Sequence, residues 1–427
     1  MIWLRRFQNR IIGEHTYVSA ALVDQALVSG TSFLTAIILA RFLGAEEFGR
    51  YVLAWFAVYL AQNVQGVLIS APLMTLSVQW NDRDRRAAFG TVFTHQALLA
   101  FATFILVFCA LKFSALLVPE WKLDTLALPT ACLAAFIQGP DLFRVYNFVL
   151  DRGWRSVTVD ALRCALQFFS LLGVFLYWPA NTSVSTAIWL MAAANLIPLV
   201  LCLIWVEAAS FNSAIFLSTT RRHWKFARWL LASTLAQWSR EGLASIAVGQ
   251  FLGLGEVGIL RASQQLVFAI NVPLQALGNV IPVHASRAYS SGGLVDLKKF
   301  LRTFALKFMI PMAALLVVIG LFGETLLTTV YGPSYAGYGY MVALYAVIMG
   351  IYLGKDAMIM AMRAMQRTDF EFRANMIAAL IGGLAAYPLV ATFGMVGALL
   401  AEGLFIIAVL CIGGLLLRKS IDTPQQP

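Results

Sequence analysis

Apolar runs of about 20 residues recur along this chain from one end to the other, separated by short polar connections. A helix of that length spans about 30 Å, the thickness of the hydrocarbon layer of a bilayer, so these runs need lipid as their solvent. Of 427 residues, 60% are hydrophobic and 12% charged, with mean hydropathy +0.78, and no segment is left over for a soluble catalytic domain. The expected fold class is an all-α integral membrane protein of about 12 transmembrane helices.

Run length places the first six helices near 18–40, 50–71, 87–111, 125–150, 156–178 and 185–207. The second six fall near 226–250, 257–283, 303–323, 336–362, 370–391 and 395–417, with the fourth and tenth the least regular. The basic start, MIWLRRFQNRIIGEHTY, precedes an apolar run of about 23 residues, too long for the core of a cleaved signal peptide, and reads as a retained first helix.

The formal charge of +10 raises nucleic acid as a partner, yet the cations sit in brief clusters between apolar runs and not on one soluble face, so no nucleic-acid role is expected. They read as topology signals. With the N-terminus in the cytoplasm, about 21 Lys and Arg residues fall on that side, among them Arg85, Arg152, Arg221, Arg222, Lys225 and Arg363, against about 5 on the other (Arg41, Arg50, Lys112, Lys122, Arg261). Both termini are therefore expected in the cytoplasm. The five cysteines lie in apolar stretches without C-x-x-C spacing, which argues against a disulfide framework or a metal centre. The four histidines, His15, His95, His223 and His284, are far apart along the chain without ligand spacing.

Two internal matches point to duplication. FLGAEEFG at 42–49 matches FLGLGEVG at 251–258, with Gly44, Glu47 and Gly49 falling on Gly253, Glu256 and Gly258, and a slightly larger shift sets Pro119 of VPEW on Pro333 of YGPSY. The glycines read as helix terminators in tight turns. The expected domains are two six-helix lobes in parallel repeat, 1–217 and 218–427, an arrangement suited to alternating access.

Polar side chains at membrane depth supply the candidate site. Arg261, Gln264, Gln265, Asn271, Gln275 and Asn279 share an arc of roughly 120° on the eighth helix, and such a stripe must face protein or water, since unpaired amides are costly in hydrocarbon. A water-filled cavity and interhelical amide bonding are the two readings of that stripe. Ionisable residues inside helices are Asp24, Asp141, Arg144, Asp160, Arg163, Arg240, Glu241, Lys355, Asp356 and Glu402. Asp160 and Arg163, spaced i,i+3, read as a pair that neutralises itself. Asp141 and Lys355 occupy equivalent positions of the repeat and are expected to meet across a cavity. The candidate substrate-binding residues are Arg144, Arg240, Arg261, Lys355, Gln264, Asn271 and Gln275, because guanidinium groups suit phosphate or pyrophosphate. Asp24, Asp141, Glu241, Asp356 and Glu402 are the candidates for a cavity charge pair or for ion coupling. No Walker A or G-x-S-x-G sequence occurs, so ATP is not expected as the direct energy source; the protein is not expected to be an enzyme or to carry a cofactor, and a proton or sodium gradient is the expected coupling source.

ARFLGAEEFGRYVLA at 40–54, a polar second helix, and VYGPSYAGYGYMVALYAV at 330–347 together resemble the polysaccharide-transporter (Wzx-type) flippases of the MOP exporter superfamily. The resemblance covers nearly the whole chain in length, helix count and repeat. It implies a MATE-like, V-shaped bundle of two six-helix lobes in the bacterial inner membrane that flips undecaprenyl-pyrophosphate-linked oligosaccharide by alternating access for surface or exopolysaccharide assembly. The partners it implies are that lipid-linked oligosaccharide, membrane lipid, and a polysaccharide polymerase with glycosyltransferases. Only Arg41, Gly44, Gly49, the YGPSY residues and the presence of charged helix positions carry over. The related lipid II flippases have additional helices, for which this chain has no room. Competing readings are a multidrug or organic-cation exporter of the same superfamily, which calls for a more acidic cavity, and, from another class, a membrane polysaccharide polymerase or an assembly scaffold. The minimal extracytoplasmic loops count against the polymerase.

Overall fold

The computed structural model describes residues 2–77, 80, 82–205, 212–268, 281–365 and 367–422, and the described residues contain helices and no strand. In chain order they are α1 (Ile2–Gln65), α2 (Ala71–Leu76), α3 (Asp82–Leu117), α4 (Ala127–Phe136), α5 (Gln138–Val149), α6 (Gly153–Tyr177) and α7 (Val184–Trp205). There follow α8 (Ser213–Phe251), α9 (Leu254–Phe268), α10 (Ile281–Phe304), α11 (Ile310–Leu321), α12 (Gly323–Tyr331), α13 (Gly339–Ala364) and α14 (Thr368–Asp422).

Among the described residues, eight stretches are long and apolar enough to cross a membrane. Two of them, Ser19–Leu76 and Asp369–Arg418, run 58 and 50 residues and are bent at Gly44 and Gly394, whose φ of 79° and 60° cannot continue a helix. Counting each bent stretch as two passes gives ten passes among the described residues. The protein is thus an all-helical, multi-pass membrane protein. Its outer surface is correspondingly apolar: along α3, Leu98, Phe101, Leu106 and Phe113 are exposed while Thr91, Gln96, Thr103 and Val107 are buried.

The expected fourth helix lacks one backbone hydrogen bond: Pro140 has no amide hydrogen to offer the carbonyl of Phe136, while Ile137 keeps helical dihedrals at the joint between α4 and α5. The tenth helix, expected to be irregular, is unbroken as α13, because Lys355 and Asp356 interrupt its apolar run without disturbing its backbone.

Two compact units form. One comprises residues 1–43 and 50–235; the other comprises 44–49 and 236–427. In the first, α3 and α7 pack on α4 and α6 packs on α7; in the second, α13 is central and packs against α9, α10, α11 and α14.

The repeat is visible in local geometry. Gly44 and Gly253, related by the sequence match, both have positive φ, at 79° and 114°. Pro119 and Pro333 each open a single 3-10 turn, Pro119–Trp121 and Pro333–Tyr335, whose third residue is a buried aromatic. Proline suits the first position because no amide hydrogen is needed there.

Candidate functional site

In the first unit, the carboxylates and guanidiniums converge. α1 brings Asp24, α5 brings Asp141 and Arg144, and α6 brings Asp160 and Arg163, all but Arg144 almost fully buried. Ile137 keeps helical dihedrals and the Asp141 amide still bonds to the Ile137 carbonyl at 3.3 Å, so α5 carries Asp141 as a continuation of α4. Arg163 donates to Asp141 Oδ1 at 3.1 Å and lies 2.9 Å from Asp160 Oδ1. Arg144 donates to the same Asp141 oxygen at 3.1 Å and lies 3.8 Å from Asp160 Oδ2 and 3.9 Å from Asp24 Oδ2. Gln62 Nε2 completes the set by donating to Asp141 Oδ2 at 3.0 Å.

Asp160 and Arg163 are therefore more than the self-neutralising pair expected from their spacing, because Arg163 also ties Asp160 to Asp141. The cluster holds three carboxylates against two guanidiniums, and Asp24 Oδ1 has no hydrogen-bond donor among the described residues. Burying that many charges is tolerated only where opposite charges lie this close.

Beside the cluster lies an amide network that sequence reading missed. Gln65 Nε2 donates to Gln96 Oε1 and to the Gln138 carbonyl, each at 3.1 Å, and Gln96 Nε2 donates to Gln138 Oε1 at 2.8 Å. All three are buried. Glutamines buried in three apolar helices are the signal that could have disclosed them, as interhelical amide bonding favours that placement. His95 and His223, far apart in sequence, also come together, with ring centroids 6.1 Å apart and His95 Nε2 2.8 Å from Thr220 Oγ1.

In the second unit, α8 brings Arg240 and Glu241, α9 brings Arg261 and Gln264, α13 brings Lys355 and Asp356, and α14 brings Glu402. Arg240, Glu241, Arg261 and Lys355 all lie within electrostatic range of Glu402, and Gln264 Nε2 donates to its Oε2 at 3.4 Å. Arg240 pairs with Glu241 at 3.0 Å and rests on the Phe405 ring at 4.2 Å. Lys355 pairs with Asp356 at 3.3 Å and sits over the Tyr352 ring at 3.5 Å. Arg261 forms no ion pair with another described residue and is half-buried. Three cations and three carboxylates balance in this cluster.

Asp141 and Lys355, expected to pair with each other, are each engaged inside their own unit. Of the polar stripe on the eighth helix, Arg261, Gln264 and Gln265 are half-buried; Asn271, Gln275 and Asn279 lie outside the described residues.

The motif regions have structural work. In the second unit, Glu324 Oε1 and Oε2 accept the amide hydrogens of Gly337 and Gly339 at 2.6 and 2.7 Å, clamping the YGPSYAGYG segment, while Tyr331 and Tyr335 are fully buried with ring centroids 5.5 Å apart. In the first unit, Arg50 donates to the Lys122 carbonyl at 2.8 Å and to the Thr125 hydroxyl, holding the loop that follows VPEW.

The fold is similar to those of solved MOP superfamily transporters. The structure matches the lipid II flippase MurJ in an inward closed conformation with a TM-score of 0.74, 15% identity, and coverage of 95% of this chain and 87% of that one. It matches an inward-facing multidrug resistance MATE family transporter of the MOP superfamily at 0.71, with 14% identity and coverage of 93% and 94%. A MOP superfamily transporter from Pyrococcus furiosus matches at 0.65, with 11% identity and coverage of 96% and 95%. No curated protein sequence matches. The profile of the family described as polysaccharide biosynthesis protein matches residues 18–286, more than half of the chain, and the chain belongs to that family.

Proposed function

We propose that this protein flips undecaprenyl-pyrophosphate-linked oligosaccharide across the bacterial inner membrane by alternating access, supplying surface or exopolysaccharide assembly, with both termini in the cytoplasm. The family membership supports the polysaccharide pathway. The observation that carries the mechanism is the setting of Arg144, the more accessible guanidinium of its cluster at 27% side-chain exposure, held among three carboxylates. Its loosest contacts, near 3.8 and 3.9 Å, are the ones a phosphate oxygen would replace, since bidentate guanidinium–phosphate bonds are stronger. In the second unit, Arg261 and Lys355 serve the same chemistry. Asp24, whose Oδ1 lacks a donor among the described residues, is the group on which a proton or sodium ion would neutralise the excess acid and so couple a gradient to movement. Catalysis of bond chemistry is not part of this reading.

The test is transfer of labelled undecaprenyl-pyrophosphate oligosaccharide in proteoliposomes. Arg144→Gln and Lys355→Gln, at normal membrane levels, are each expected to slow transfer at least about tenfold. Unimpaired transfer by both overturns the site, and absence of transfer by the unaltered protein favours a scaffold or polymerase. The excess of carboxylates in the first cluster favours one second reading, export of organic cations; ethidium transport by the same liposomes decides for it.

A further inference from the structure

We infer that the outer face of the first turns of α8 is a docking surface for the phosphate headgroups of anionic phospholipid. At 39 residues, α8 is about 58 Å long against about 30 Å of hydrocarbon, so nearly half of it extends beyond the acyl layer. The cations lie in that half: Arg221, Arg222, Lys225 and Arg228 fall within an arc of about 120°.

The opposite face is fixed to the protein. Thr219, His223 and Ala227 are at most 6% exposed, and Thr220 is bonded to His95 of α3. The rotation of the helix is thereby set, and its basic face is turned outward: all four cations are exposed. Large apolar groups accompany them, with Leu217 70%, Trp224 56% and Trp229 67% exposed, and the Arg228 guanidinium lies over the Trp229 ring. Indole rings beside guanidinium groups are suited to the headgroup layer, where one end is apolar and the other wet.

Among the described residues nothing neutralises this face. No Asp or Glu occurs between residues 208 and 240, and among the described residues no carboxylate lies within ion-pair distance of any of the four cations. Four uncompensated cations at the edge of the acyl layer complement anionic lipid phosphates, and a juxtamembrane basic cluster draws such lipids from a mixed bilayer.

The experiment equilibrates the detergent-purified full chain with vesicles of equal parts phosphatidylglycerol and phosphatidylcholine, repurifies it, and counts retained lipids by native mass spectrometry. Phosphatidylglycerol is expected to be enriched in the unaltered protein. That enrichment is expected to fall at least about fivefold in the triple variant Arg221→Gln/Arg222→Gln/Lys225→Gln, and to survive in Arg221→Lys/Arg222→Lys, which keeps the charge. Raising NaCl from 0.05 to 0.5 M on the unaltered protein is expected to reduce it as well, a readout that needs no variant to fold. Unchanged enrichment in the triple variant, or insensitivity to salt, overturns the inference. So does a triple variant that keeps its phosphatidylglycerol but loses binding of added undecaprenyl pyrophosphate, since the face would then be an entry port for a lipid-linked pyrophosphate.

Discussion

Gly49 and Gly258, equivalent positions of the repeat, pack backbone against backbone in a reciprocal way. A Cβ on Gly49 would overlap the Leu254 carbonyl and come within 3.0 Å of Gly258 N; a Cβ on Gly258 would overlap the Ala45 carbonyl and come within 3.0 Å of Gly49 N. Only Gly44 and Gly253 of the four repeat glycines bend the chain, by positive φ. The other two allow the close approach.

Gly49→Ala and Gly258→Ala are each expected to destabilise the protein by about 1–3 kcal/mol, because backbone carbonyls cannot yield as a flexible side chain can. The double variant is expected to cost less than the sum, as both remove one contact. Gly30→Ala, with open space around it in α1, is the control and is expected to leave the melting temperature unchanged or raise it slightly. Thermal melting in detergent checks all four.

Arg163→Gln removes the cation that joins Asp141 to Asp160 and leaves both carboxylates buried with less compensation. The expected cost is about 3–5 kcal/mol, seen as reduced membrane levels and a lower melting temperature. Adding Asp160→Asn to that variant is expected to restore part of the loss, since it deletes one of the two stranded charges.

Glu324→Gln leaves one acceptor oxygen where two now hold the amides of Gly337 and Gly339. A loss of about 1–2 kcal/mol is expected from the orphaned amide and the missing charge. Limited proteolysis within 332–338 should accelerate in the variant, while the first unit keeps its cleavage pattern.

The His223 imidazole, on the part of α8 beyond the acyl layer, is 4% exposed, and burial, with His95 beside it, pulls its pKa down to about 4. The unfolded chain binds the proton near 6.5, so between about 6.5 and 4 the unfolded state holds more protons than the folded one. Stability is therefore full above 6.5 and falls as pH drops through that window, by up to about 3 kcal/mol. Melting temperatures measured from pH 7.5 to 4.5 should decline, with a shallower decline in His223→Gln.

The passes, the turn glycines and the duplication were legible in the residues because each is local. Hydrocarbon thickness sets the length of an apolar run, and a repeated loop announces itself by repeated Gly and Pro. The convergence of Asp24, Asp141 and Arg144 was legible only as a set of ionisable groups that must find partners at depth; which partners they take was not. Within its own unit Asp141 binds Arg163, Arg144 and Gln62. The Gln65–Gln96–Gln138 network and the His95–His223 contact went unread for the same reason.

The amino-acid sequence by itself determined that this protein is a duplicated bundle of membrane helices, since solvent preference and backbone chemistry act residue by residue. Only the tertiary structure decided which charges neutralise which. Pairing depends on how each helix is rotated, and a few ångströms of separation decide whether a buried carboxylate is compensated.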